Sequence, residues 1–197
     1  MQMQNLQVLE VICCISLTEV FETQVLRHNN GGSNTNTDGG NSGTDTTISR
    51  LENINVPQLS NLKKLVISGC ERLQFVFTYR TLESLKQLEE LTIKYCEAMK
   101  VIVKEENEEQ TRVVTFPHLK SLELVELPDL EGFFLGKNDF QWPSLEKVMI
   151  DYCPKMTVFT SGQSTAKKLE YMHTSLGKHS LECGLNFEGT TTTTDQV

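Results

Sequence analysis

Apolar side chains recur along this chain in one repeated spacing. From Leu59 they fall at Leu62, Leu65, Ile67, Cys70, Leu73 and Val76, steps of 3, 3, 2, 3, 3 and 3 residues. The same steps carry Leu85, Leu88, Leu91, Ile93, Cys96, Met99 and Ile102, then Phe116, Leu119, Leu122, Leu124, Leu127, Leu130 and Phe133. They return at Trp142, Leu145, Val148, Ile150, Cys153, Met156 and Phe159, and fit the start of the chain at Met3, Leu6, Leu9, Val11, Cys14, Leu17 and Val20. With 38% hydrophobic residues, chance alone would give ~0.2 such matches over the whole chain. Five non-overlapping matches occur.

The steps have a structural meaning. The two-residue step is the strand period, and the three-residue steps suit a turn of helix or a 3₁₀ coil. Each unit therefore reads as a short strand, a tight turn and an ascending segment apolar on one side. No unit can bury that side alone, so neighbouring units stack and their strands form a parallel sheet. The first inward strand positions, Leu9, Leu65, Leu91, Leu122 and Val148, are 56, 26, 31 and 26 residues apart. Gaps of 26 fall in the range of leucine-rich repeats. The expected fold class is α/β, a leucine-rich-repeat solenoid with irregular units of about 26 residues and a parallel sheet on its concave face.

The longer gaps hold insertions. Residues 29–47 contain only Asn, Gly, Ser, Thr and Asp, and residues 104–112 read KEENEEQTR. The expected organisation is a first repeat at 1–23, a disordered Asn/Gly/Thr-rich insert at 24–50, and four repeats at 51–160 with an acidic insert at 104–115. A degenerate repeat or C-terminal cap follows at 161–187, where Ala166, Leu169 and Tyr171 repeat the 3-2 step, and 188–197 is a disordered tail. A capping helix starting near Ser164 is the alternative for 161–187.

Charge and cysteine content narrow the class. The net charge of -8 argues against a phosphate-neutralising grip on nucleic acid. No apolar run is long enough for a membrane span, and the first residues lack the positive region of a signal peptide. These features imply an intracellular, cytoplasmic protein with reduced thiols. Cys14, Cys70, Cys96 and Cys153 share one place, three residues after the second inward strand position, where such repeats carry Asn or Cys. A thiol there reaches backbone groups of the turn, and the 26-residue spacing lacks the close pairing of zinc ligands.

The chain offers little chemistry. Its four histidines form no HExxH motif, and no GxSxG elbow occurs. His173, His179 and Cys183 could hold a metal, but read better as solvated tail residues. Residues 132–138 (GFFLGKN) have one residue too few for a phosphate loop. Glu105, Glu106, Glu108 and Glu109 could attract cations or a basic partner, or simply solvate an insert. The reading is non-enzymatic, with no catalytic residue, cofactor site or metal site.

Recognition is then expected on the outward strand positions and the residues just beyond them. These are Glu10 and Ile12; Val66 and Ser68; Thr92, Lys94 and Tyr95; Glu123, Val125 and Glu126; Met149, Asp151 and Tyr152. Their mixture of aromatic, Met and charged groups suits a protein-binding patch.

The rungs LKKLVISGCERLQFVF, LEELTIKYCEAMKVIV, FPHLKSLELVELPDLEGFF and WPSLEKVMIDYCPKMTVF resemble the C-terminal leucine-rich repeats of plant nucleotide-binding leucine-rich-repeat disease-resistance proteins. The likeness is to the coiled-coil class and, with STAKKLEYMHTSLGKHSLECGLNF, to the resistance-gene-candidate family of lettuce and its relatives. The resemblance implies an intracellular immune receptor whose repeats sense a pathogen effector, directly or through a guarded host protein. It also implies that they restrain a nucleotide-binding domain. The chain carries none of that domain's motifs, so ADP or ATP binding is not expected here, and the chain reads as a fragment that keeps the sensor. The alternative is the substrate-binding repeat array of a ubiquitin-ligase adaptor.

Overall fold

The computed structural model describes residues 5–21, 59–82, 84–105, 113–175 and 177–180. The insert expected at 24–50, most of the acidic insert, Cys183 and the tail at 188–197 lie almost wholly outside them. In chain order the elements are β1 (Val8–Ile12), β2 (Lys64–Ser68), β3 (Phe77–Thr78), α1 (Tyr79–Leu82), β4 (Glu90–Lys94), β5 (Val103–Lys104) and β6 (Val113–Thr115). They continue with β7 (Ser121–Val125), β8 (Asp139–Gln141), β9 (Lys147–Asp151), β10 (Ser164–Thr165), β11 (Tyr171–Thr174) and β12 (Gly177–Ser180).

The repeated strands build one seven-stranded sheet in the order β1-β2-β4-β7-β9-β11-β12. Every pairing in it is parallel except β11 with β12, a hairpin that turns back on the last rung. The register is the repeat itself, with Leu9, Leu65, Leu91, Leu122 and Val148 side by side. Behind this sheet run two short parallel ladders, β10-β8-β6 and β3-β5. The bridges Val101↔Gly132 and Phe134↔Thr160 extend the backbone pairing of the rungs on that side.

The helical half of the expected α/β class is not seen. Among the described residues the one helix is α1, four residues long. The three-residue steps are tight turns instead. Leu62, Leu88, Leu145 and Leu169 each donate the backbone N–H to the carbonyl three residues back, at Leu59, Leu85, Trp142 and Ala166. After each strand, Leu73, Met99, Leu130 and Met156 do the same to Cys70, Cys96, Leu127 and Cys153. Each turn satisfies one backbone pair within the rung and leaves the next for the neighbouring rung. That stacking is what a helix, with its hydrogen bonds internal, would forgo.

The core is the inward set of the sequence pattern. From Leu59 to Phe159 every position of the repeated spacing is buried except Cys153, which is half-buried. At the open end of the sheet Leu6, Leu9, Val11, Leu17 and Val20 are only partly covered. An aromatic spine fills the rungs of β7 and β9: Trp142 stacks on Phe116 at 4.8 Å and meets Phe133 edge-on at 5.1 Å.

The last rung sits three residues later than the spacing suggested. Met172 pairs with Val148, so Leu169 takes the place of Leu145 rather than of Val148. A run of threes matches itself when slid by three, so the spacing alone does not fix the origin of a rung.

Candidate protein-binding face

The outward residues of the sheet form rows because the strands are parallel and in register. One row is Glu10, Val66, Thr92, Glu123 and Met149, and His173 of β11 continues it. The next is Ile12, Ser68, Lys94, Val125 and Asp151. All ten sequence-predicted strand residues therefore share one face. From Val66 to Asp151 they are half-buried by their neighbours, whereas Glu10 and Ile12 are exposed on the edge strand.

A third row lies just past the strand ends. Cys13, Tyr95, Glu126 and Tyr152 have φ of 54°, 55°, 52° and 50°, and Gly69 has 66°. Four of them send the backbone N–H to a neighbouring rung: Cys13 to Ser68 at 2.8 Å, Gly69 to Lys94 at 3.1 Å, Tyr95 to Val125 at 3.1 Å and Glu126 to Asp151 at 2.9 Å. A left-handed residue turns the chain inward at once, bringing the next position, the Cys or Leu of the pattern, under the sheet. Only Gly69 avoids the steric cost of that conformation. Tyr95 and Tyr152 stand 49% and 65% exposed.

Two of the thiols below this row sit against backbone oxygens. Cys96 Sγ lies 3.3 Å from the Lys94 carbonyl oxygen, and Cys153 Sγ 3.4 Å from that of Asp151. Burial pushes both thiols up to about 11. Among the described residues no group of His, Cys, Asp and Glu is arranged to hold a metal ion, and no helix is long and apolar enough to cross a membrane.

Charges on the face are largely spoken for. Glu123 receives Lys147 at 2.6 Å and Lys94 at 3.1 Å, and its side chain is only 19% exposed. The Lys147 hydrogen bond, seconded by that from Lys94, holds its carboxyl below the ordinary range against the opposing effect of burial. Lys64 pairs with Glu90 at 3.0 Å. At the strand entrances Lys63, Glu89, Lys120, Glu146 and Lys168 alternate in sign from rung to rung, with Glu89–Lys120 closest at 2.6 Å. Glu126 and Asp151, by contrast, enter no ion pair among the described residues.

Sequence reasoning named the face but missed Lys64, Glu90, Lys147 and His173 on it. Their signal was available: Lys64, Glu90 and Lys147 each lie two residues before a named outward position, Val66, Thr92 and Met149, and so point the same way, and His173 is the register partner of Met149. It named Lys94 and Glu123 as separate positions, whereas the structure pairs them at 3.1 Å.

Comparison with protein families matches residues 44–175 to a family described as plant disease resistance protein RPS2-like, leucine-rich repeats. No curated protein and no solved structure matches.

Proposed function

The chain belongs to the RPS2-like leucine-rich-repeat family of plant disease resistance proteins, and on that premise we propose that it is the non-catalytic recognition module of an intracellular immune receptor. In this reading it senses a pathogen effector, directly or through a guarded host protein, and restrains the receptor's nucleotide-binding domain until then. On the strength of the rungs quoted above, the reading places it in the coiled-coil class, with a likeness to the lettuce resistance-gene-candidate group. Cytoplasmic placement follows from the same reading.

One observation carries the assignment of the site. The outward rows run unbroken across five in-register parallel strands, so residues far apart in sequence form one continuous surface. Such a surface, with Met, Tyr and Thr between neutralised ion pairs, desolvates at less cost than one of free charges. The test is a full-length receptor carrying this chain with Thr92→Lys and Met149→Lys together. Both sites neighbour Glu123 in the register, so the fold should tolerate the new cations. The reading predicts loss of the defence response with normal accumulation of the receptor. A full response would remove the face from the function.

A further inference from the structure

Tyr95, Glu126 and Tyr152 follow directly on Lys94, Val125 and Asp151, which are register partners on three adjacent strands. The three side chains thus stand in one line along the strand ends, with the carboxylate between the two rings. The tyrosines are two strand spacings apart, roughly 10 Å. All three are exposed. Neither ring packs against another ring, and neither hydroxyl has a hydrogen-bond partner, among the described residues. Positive φ at all three positions, tied into the inter-rung hydrogen bonds at Tyr95 and Glu126, fixes the backbone beneath them. The line is therefore presented without a folding cost at the moment of binding.

Electrostatics choose the occupant. The face's lysines are consumed internally, Lys64 by Glu90 and both Lys94 and Lys147 by Glu123. Glu126 and the adjacent Asp151 remain as uncompensated negative charge beside two electron-rich ring faces. We propose that this line is a subsite for an arginine side chain of the partner protein, its guanidinium held between the rings of Tyr95 and Tyr152 and paired with Glu126 and Asp151. Arginine suits it better than lysine because the planar guanidinium stacks on a ring while still donating to a carboxylate in the same plane. The proposal rests on the recognition reading and narrows its partner to a protein that projects a basic residue at this edge.

The test uses the full chain and a short probe. The ring signals of Tyr95 and Tyr152 are followed by NMR while the N-acetylated tetrapeptide amide Gly-Gly-Arg-Gly is added, with lysine and citrulline counterparts as controls. The expected result is saturable shifts of both rings with arginine, smaller ones with lysine and none with the neutral citrulline. The double variant Glu126→Gln, Asp151→Asn should weaken arginine binding about fivefold or more with an unchanged urea midpoint. Equal shifts with citrulline, equal affinity for lysine, or an indifferent double variant would each overturn the proposal. In the receptor, loss of response from Thr92→Lys with Met149→Lys, but full response from Glu126→Gln with Asp151→Asn, would overturn the subsite alone. Indifference to both pairs would overturn the recognition reading as well.

Discussion

Trp142 is the residue on which the rungs of β7 and β9 turn, and removing it should be the most costly single truncation among the described residues. Its side chain is fully buried. It stacks on Phe116 at 4.8 Å and 3°, and meets Phe133, Phe140 and Phe159 at 5.1, 5.5 and 5.6 Å. Its indole N–H donates to Ser164 Oγ at 2.8 Å, across to the next rung. Burying an indole removes about 200 Å² from water, worth about 5 kcal/mol at 25 cal/mol per Å². An alanine retains a small part of that, and the ring geometry adds about 1 kcal/mol. Relaxation around the void returns some, so Trp142→Ala should lose about 4 kcal/mol. Trp142→Phe keeps most ring contacts and forfeits the bond to Ser164, a loss of about 1–2 kcal/mol. Urea denaturation followed by far-UV circular dichroism measures both. The reasoning fails if alanine costs under about 1.5 kcal/mol, or if phenylalanine costs as much as alanine.

Three other outcomes follow from the rows of the sheet. Gly69→Ala should cost about 1–2 kcal/mol because φ is +66°, although the added Cβ would meet Cys13 Sγ at an ordinary 3.4 Å, whereas Tyr152→Gly, at φ 50°, should be close to neutral in the same urea assay. Glu123→Gln should cost about 1 kcal/mol near neutral pH. Because its folded-state pKa is lowered from 4.5, the wild-type advantage is complete above that value and disappears as pH falls through the folded-state pKa, which paired melts across pH will show. Among the described cysteines of the native protein, maleimide should label the exposed Cys13 and Cys14 first, the half-buried Cys153, pushed up to about 11, more slowly, and the fully buried Cys96 at the unfolding rate, as peptide mapping will reveal.

The inward half of this structure was readable because burial imposes a rule on residue type. Leu65 and Ile67, or Leu122 and Leu124, must be apolar wherever the rung sits, so their recurrence survives without coordinates. The ascending segments were less legible, since a three-residue step is shared by a helical turn and by an i to i+3 turn in an extended coil. What decides between them is pairing with a neighbouring rung, as Phe77 and Thr78 pair with Val103 and Lys104. The start of the last rung was missed for a related reason: its second inward place is Thr174, a polar residue, so Leu169 and Tyr171 imitate the step better. The left-handed row was hidden because only Gly69 advertises it. Tyr95 and Glu126 accept the conformation because cross-rung hydrogen bonds hold the turn. On the face, the sequence marked which residues point outward but not which charges cancel, since Lys94 and Glu123 are 29 residues apart.

The central claim is that one side of each strand holds the fold and the other recognises a partner. Leu91 and Thr92 are neighbours in β4, the first fully buried and the second on the outward row beside Glu123. The most direct measurement places Leu91→Lys and Thr92→Lys separately in the full receptor and records the urea midpoint of the isolated chain together with the defence response. The account predicts that Leu91→Lys fails to fold and that Thr92→Lys keeps the wild-type midpoint while weakening the response. Equal losses of stability at the two sites would contradict the alternation, and a stable Thr92→Lys with an undiminished response would contradict the role assigned to the face.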